Sequence, residues 1–408
     1  MDITLLGTGA PAGLPRPGCP CAACAAAVGP EARAATSVLV DGIVLLDLTP
    51  GAALAAARAG RTLSGVMQVL LSHPHDGPAV APPAGVPAPS RAPEGQEVTL
   101  ISGHRVRAVA VDSPGTGYEV TGPGGRRLLY LPPGAAPAGP VGPADPYDLV
   151  LLDVASRPDA LARLRAHGAV AAATDVVAVH LGGHLAAGRR GGHPDVAGPT
   201  PPPGPELHRR LAAAGARAVP DGHHLVAGHG PDRPVVPRRT LVLGGARSGK
   251  SVEAERRLAA FPEVEYAATG GTRDGDAEWA ARVAVHRERR PAGWRTTETC
   301  DLVPLLAAAG GPPLLVDCLS LWLTDALDGT KAWEGGDVRP RVDELVAAVR
   351  ATRRTLVAVS NEVGSGVVPA TPAGRLFRDE LGRLNAAVAA ECEQVLLVVA
   401  GQVLVLRG

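Results

Sequence analysis

Residues 240–251 read TLVLGGARSGKS. A short apolar run ends in two glycines, and Gly244, Gly245, Ala246, Arg247, Ser248, Gly249, Lys250 and Ser251 then satisfy G-x-x-x-x-G-K-[ST], with a helical pattern over 249–260. Strand before and helix after is the context this phosphate-binding loop requires. Its glycines let backbone N–H groups turn inward around phosphate oxygens, and the helix start adds positive potential. Lys250 is then placed to reach the terminal phosphates and Ser251 to bind Mg²⁺. Lysine occurs elsewhere only at Lys331, so an amine kept inside this pattern carries weight. The plain alternative is an ordinary glycine-rich turn.

Outward from the loop, strand and helix patterns alternate. Strands are expected at 240–244, 264–268, 313–317, 355–360, 395–399 and 402–406, and helices at 249–260, 275–289, 301–309, 319–327, 341–353 and 373–391. Such alternation implies an α/β fold, a largely parallel sheet covered by helices, of the kind seen in P-loop nucleotide hydrolases. VLLVVA and VLVLR, around Gly401 and Gln402, can close it with a hairpin. Phosphoryl transfer also calls for a carboxylate to hold the magnesium shell. Asp317 ends the run PPLLVD, where its side chain would emerge at the strand's C-terminal edge, the ligand-binding side of such sheets.

A chain of 408 residues, 46% hydrophobic, has room for two or three domains. Eleven of the twelve histidines precede residue 230, and GHGPDRPVVPRR (228–239) is rich in proline and charge. The expected domains are therefore 1–235 and 236–408. Forty basic against forty acidic residues argue against a nucleic-acid wrapper and leave an enzyme for small anionic substrates. No apolar run reaches the roughly 18 residues of a membrane span, and MDITLLGTG lacks signal-peptide features, so a cytoplasmic protein is expected. Six cysteines are too few for a disulfide scaffold. Cys19, Cys21 and Cys24 read better as a metal cluster.

GGARSGKS, YAAT (266–269), RVAVHRERRPAGWRTTE (282–298), LLVDCLSLWLTDAL (314–327), VSNEVGSGVVP (359–369) and GRLFRDELGRLNAAVA (374–389) together resemble the bifunctional adenosylcobinamide kinase/adenosylcobinamide-phosphate guanylyltransferase family over 239–408. The resemblance implies phosphorylation of the aminopropanol arm of adenosylcobinamide with ATP or GTP, then transfer of GMP from GTP through a guanylylated histidine, giving adenosylcobinamide-GDP and pyrophosphate. It implies a homotrimer as well. His286, the one histidine of this half, falls where the family's H-x-x-x-R-P-x-x-W pattern places the nucleophile. Imidazole chemistry agrees with that role, and Arg282, Arg287, Arg289 and Arg290 can offset phosphate charge. Without the resemblance, His286, at helical spacing from Trp279 and Val283, reads rather as a cap on an apolar helix face. Arg290 is expected as a phosphate ligand; Trp294 either stacks on a base or corrin edge or anchors the local core. Asn361 and Glu362 follow the strand RTLVAVS and are expected at a ligand-facing loop. Glu362 there orients the cobinamide hydroxyl, completes the magnesium shell, or simply caps a turn. The helix carrying Arg375, Arg378, Asp379, Arg383 and Asn385 is expected to face substrate or a neighbouring subunit.

The first domain reads as strand-rich α/β, with ITLLG as its first strand, a hairpin turning at Asp41 and Gly42, and helices near 156–168 and 205–214. Proline-rich 81–94 and loop 186–206 are expected to be lids or disordered. LLGTGAPAGLPRPGCPCAAC resembles the start of metallo-β-lactamase-fold proteins of the phosphonate-degradation phosphodiesterase type. That resemblance implies an αβ/βα domain in which Cys19, Cys21 and Cys24 hold a structural Zn²⁺ with a late histidine, His223, His224 or His229. Reduced thiols without metal are the alternative. The superfamily's H-x-H-x-D-H meets SHPHDGPAV here: His73 and His75 match, while Asp76 is one position early and Pro78 stands where a histidine belongs. His104, Asp153, His180 and His184 are further possible ligands, Asp153 resembling the bridging aspartate. His73, His75 and Asp153 can therefore retain at most one ion, and the two-metal water-activating site reads as broken. The leading expectation is the bifunctional transferase. Its alternative is a metal-dependent hydrolase with a regulatory phosphate-loop domain, and a nucleotide-dependent scaffold stands behind both.

Overall fold

The computed structural model describes residues 1–74, 80–141, 145–182, 204–230, 236–271, 284 and 290–408. The chain divides into two compact units, Met1–Val235 and Val236–Gly408. No helix among the described residues is long and apolar enough to cross a membrane.

The first unit contains β1 (Asp2–Gly7), α1 (Ala22–Ala26), β2 (Ser37–Val40), β3 (Val44–Leu46), α2 (Ala52–Arg58), β4 (Gln68–Leu70), β5 (Glu97–Thr99), β6 (Arg105–Val109), β7 (Gly117–Thr121), β8 (Arg127–Tyr130), β9 (Leu149–Leu152), α3 (Pro158–Ala166), β10 (Asp175–Ala178), α4 (Pro205–Ala213) and β11 (His223–Val226). Two mixed sheets result, ordered β11-β1-β2-β3-β4 and β10-β9-β8-β7-β6-β5. Ile3, Leu5, Val38 and Leu46 of one pack with Val106, Tyr118, Leu128 and Leu151 of the other in a single buried core. The opposite face of the first sheet packs Leu39 and Leu45 against Ala52 and Ala56 of α2. The β2–β3 hairpin turns through Asp41 and Gly42, both at positive φ. Residues 81–94 form turns and irregular chain, tied to β4 by Ser90 N donating to Val69 O at 3.0 Å. Most of 186–206 lies outside the described residues.

The second unit runs β12 (Arg239–Gly244), α5 (Lys250–Leu258), β13 (Val264–Ala268), β14 (Trp294–Glu298), α6 (Leu302–Ala307), β15 (Leu314–Asp317), α7 (Leu319–Gly329), α8 (Arg339–Ala351), β16 (Leu356–Asn361), α9 (Pro372–Ala390), β17 (Gln394–Val399) and β18 (Gln402–Arg407). Its sheet, β14-β13-β15-β16-β12-β17-β18, is parallel except for the final β17–β18 hairpin. The hairpin turns on Ala400 and Gly401, both at positive φ, as a two-residue turn matched to strand twist requires. The inner strands are apolar on both faces because helices cover both. Leu241, Val316 and Ala358 meet α6, α7, α8 and α9, while Val242, Leu315 and Val359 meet α5. β14 was not expected; its sequence WRTTE is polar because it is an edge strand with only Trp294 in the core. The expected helix over 275–289 falls almost wholly outside the described residues.

One buried ion pair fixes the end of the sheet away from the glycine loop. Arg354 Nη2 donates to Glu265 Oε2 at 2.8 Å, and its remaining N–H groups reach Pro312 O and Leu305 O. Arg295 Nη2 takes Oε1 at 2.8 Å. Burial alone would raise the Glu265 carboxyl, yet hydrogen bonds and charge from Arg354 and Arg295 hold it below its ordinary value. Its stabilising contribution is therefore complete above the ordinary 4.5 and is lost as pH falls through the lowered folded value. Arg354→Ala is expected to destabilise this unit by about 3 kcal/mol, because it strands a buried carboxylate. Urea denaturation at pH 7 and pH 4 should show the loss shrinking at the lower pH; an equal loss at both would refute the assignment.

Candidate functional site

The glycine loop leaves β12 between β16 and β17, with Gly244 opposite Asn361 on one side and Val398 on the other. A β-carbon on Gly244 would lie 2.4 Å from Ser248 Oγ and 2.7 Å from Val398 O, so only glycine fits. Arg247 (φ 58°) and Gly249 (φ 98°) take left-handed backbone, which folds the loop back before α5 begins at Lys250. The loop is pinned from both neighbours: Glu362 N donates to Gly244 O at 3.1 Å and Gly401 N to Ser248 O at 2.9 Å. Lys250 and Ser251, both half-buried, occupy the first turn of α5, and Lys250 Nζ donates to Gly245 O at 3.2 Å. Ser248 Oγ is buried with no hydrogen-bond partner among the described residues. A cradle closed to any β-carbon, an amine held across it and a hydroxyl at the helix start form a donor set that fits phosphate and a magnesium ion.

The acidic side is built from β13 and β15. Asp317 ends β15, and Tyr266 OH donates to its Oδ2 at 2.6 Å. Thr269 locks the next residue, donating from Oγ1 to Cys318 O at 2.7 Å and accepting from Cys318 N at 2.8 Å. Burial, then the Asp317 charge, push the Cys318 thiol up, while Lys250 pulls it down, so the amine lies within electrostatic reach of this corner. Arg290 stacks on Tyr266, its Cζ 3.4 Å from the ring centroid, and Nη1 donates to Thr296 Oγ1. Trp294 is buried in the core under β13, which settles its role as an anchor. Sequence reasoning passed over Tyr266 and Thr269; the available signal was a tyrosine in a wholly buried strand, whose hydroxyl must find a partner.

Beside the loop, Glu362 Oε1 accepts from Gly364 N at 2.7 Å, the turn-capping arrangement, with Oε2 unused among the described residues. Asn361 is held through its backbone: Asn385 Nδ2 donates to Asn361 O at 3.0 Å and Asn385 Oδ1 accepts from Ser360 Oγ at 2.6 Å. Asn385 is thus buried rather than substrate-facing. Arg375 donates to Pro369 O and Ala370 O, and Arg378 to Gly364 O, so both brace the loop after β16. His286 lies outside the described residues, as do Arg282, Arg287 and Arg289.

In the first unit, the metal-ligating atoms of Cys19, Cys21 and Cys24 lie within 4.8 Å of one another, a group suited to zinc. The fourth ligand expected from a late histidine is not found among the described residues. His224 Nδ1 is 3.0 Å from Arg61 Nη2, His223 sits on β11 near Arg217 and Asp175, and His229 is exposed. His75 and His184 fall outside the described residues. His73 Nδ1 is 2.8 Å from Ser72 Oγ and 3.6 Å from Asp47 Oδ2. Asp47, fully buried, accepts from Ser72 N, Ser72 Oγ and Tyr130 OH. The Asp153 carboxylate accepts from Gly134 N and Ser156 N, and burial raises it to about 6. His180 Nε2 donates to Leu131 O at 3.1 Å, and burial with His73 nearby pushes it down to about 3, leaving it neutral. His104 bonds Ser102 and Asp41. The cysteines are the one metal-competent group among the described residues.

Solved structures with which the chain shares a likeness are a diphosphatase of the PhnP family (18% identity, 55% of this chain and 97% of that one, TM-score 0.38) and Zn²⁺-bound PqqB from Methylobacterium extorquens (16%, 55% and 100%, TM-score 0.36). Among curated proteins, the bifunctional adenosylcobalamin biosynthesis protein CobP of Pseudomonas aeruginosa is 43% identical over 180 residues, 42% of this chain and 98% of that protein. CobU of Salmonella typhimurium is 37% identical over 174 residues, 40% of this chain and 95% of that protein. Residues 240–406 match the model of the cobinamide kinase / cobinamide phosphate guanyltransferase family. The glycine loop, Asp317 and the strands between them all lie inside that match, and through it the chain belongs to the cobinamide kinase / cobinamide phosphate guanyltransferase family.

Proposed function

We propose that the second unit phosphorylates the hydroxyl of the aminopropanol arm of adenosylcobinamide with ATP or GTP, then joins GMP from GTP to that phosphate through His286. The observation that carries the reading is the glycine loop, closed by Gly244 and presenting Lys250 and Ser251, inside a region matched along nearly the whole length of CobP. In the first step the substrate oxygen attacks the γ-phosphorus, its proton passes to solvent, and the bond to the β–γ bridging oxygen breaks, releasing the nucleoside diphosphate. Backbone N–H groups of the loop and Lys250 take up the charge spreading over the transferred group. Ser251 and Asp317 would hold Mg²⁺, which when bound neutralises the phosphate oxygens. Glu362, with one carboxylate oxygen not used by its turn, orients the attacking hydroxyl.

In the second step the His286 imidazole attacks the α-phosphorus of GTP, a P–N bond forms and pyrophosphate leaves. A phosphate oxygen of adenosylcobinamide phosphate then attacks the same phosphorus, breaking the P–N bond and giving adenosylcobinamide-GDP. Arg290, a cation stacked on the Tyr266 ring whose hydroxyl bonds Asp317, offsets charge on the phosphates.

For the first unit the proposal is a structural zinc at Cys19, Cys21 and Cys24 without a hydrolytic two-metal centre. Asp47 and Asp153 already spend their carboxylates on protein donors, which supports that reading over the hydrolase alternative.

Lys250→Ala is expected to lower adenosylcobinamide phosphorylation by about 10³-fold with the thermal transition unchanged; a near wild-type rate would remove the assignment. His286→Ala should retain most of the kinase step yet form no covalent GMP adduct from α-labelled GTP, the adduct in the parent being acid-labile and base-stable. Label surviving denaturation on that variant would exclude His286. Metal analysis should find at most about two zinc per chain, one of them lost on replacing the three cysteines by serine. An occupied dinuclear centre with rapid phosphodiester hydrolysis would overturn the account of the first unit.

A further inference from the structure

Tyr266 lies on β13 with 2% of its surface exposed, and both ends of its polar character are used. The hydroxyl donates to Asp317 Oδ2 at 2.6 Å across to β15. The ring face carries the Arg290 guanidinium at 3.4 Å, and Arg290 Nη1 also donates to Thr296 Oγ1 at 2.7 Å. Arg290 Nε is buried with no hydrogen-bond partner among the described residues, and the ring contact adds a cation–π attraction to the Thr296 bond.

We propose that Tyr266 is a positioning residue that sets both charged partners of the nucleotide phosphates, fixing Asp317 through its hydroxyl and Arg290 through its ring. The proposal rests on the roles given to Asp317 and Arg290 above. A carboxylate at a strand end can rotate about its last bond, and an arginine has many rotamers; each loses that freedom against the same buried ring. With Oδ2 taken by tyrosine, Oδ1 is the oxygen left for the metal shell. The two functions are chemically separable, since phenylalanine keeps the ring and loses the hydroxyl, whereas leucine loses both.

The test uses the full chain with the β,γ-imido analogue of GTP. Mn²⁺ affinity is read by electron paramagnetic resonance, and nucleotide affinity in EDTA by calorimetry. Tyr266→Phe is expected to weaken Mn²⁺ binding by about tenfold while metal-free nucleotide affinity stays within about twofold, because a charge-assisted hydrogen bond to the carboxylate is all that is removed. Tyr266→Leu should weaken both. In an Asp317→Asn background the Tyr266→Phe change should add nothing further to the Mn²⁺ loss, a non-additivity that general loss of structure would not give. If Asp317→Asn weakens Mn²⁺ binding and Tyr266→Phe does not, the positioning role is wrong while the reading of Asp317 stands. If Asp317→Asn itself leaves Mn²⁺ binding unchanged, that reading fails and the proposal falls with it.

Discussion

At Gly244 the backbone of β12 passes close enough to the Val398 carbonyl and Ser248 that a β-carbon would stand within 2.7 Å of both. This close approach lets β12 run between β16 and β17 in parallel register to its last residue and still turn at once into the loop. The hydrogen bonds from Glu362 N and Gly401 N then clamp the loop from both neighbouring strands. The loop's shape is thus fixed by the sheet before any nucleotide arrives, which is the preorganisation that phosphoryl transfer relies on. Lys250 and Ser251 gain their positions from the same turn, since α5 can start only after the left-handed residues Arg247 and Gly249.

The acidic partner depends on the sheet in a different way. Asp317 reaches the same edge as Gly244 because β15 and β12 both pair in parallel with β16. The far end of the sheet is held by the buried Glu265–Arg354 pair, which costs desolvation and returns it through good geometry. Chemistry at one edge and rigidity at the other are therefore served by the same parallel strands. The first unit shows a contrasting use of buried polar groups. Asp47, Ser72, His73 and Tyr130 are bonded to one another inside the fold.

Much of the second unit was legible in the sequence because its strands are short apolar runs and its helices amphipathic, and because the glycine loop needs a strand before it and a helix after it. Asp317 was legible as a carboxylate ending an apolar run. β14 was not, since an edge strand of polar β-branched residues leaves no hydrophobic signal. Trp294 could be read two ways until its burial was seen. Arg290 was expected as a phosphate ligand, but its contact with Tyr266 could not be foreseen, because β13 and the segment at Arg290 are joined only in three dimensions. In the first unit the histidines misled: His104, His223 and His224 resemble a ligand set in composition, yet the fold spreads them among Asp41, Arg61 and Arg217.

The central claim is that the second unit carries out both transfers. Incubating the full chain with adenosylcobinamide and GTP and resolving the corrinoids by mass tests it most directly. The account requires adenosylcobinamide phosphate to appear first and adenosylcobinamide-GDP to follow, with pyrophosphate released alongside the second product. GTP bound but neither corrinoid product formed would contradict it.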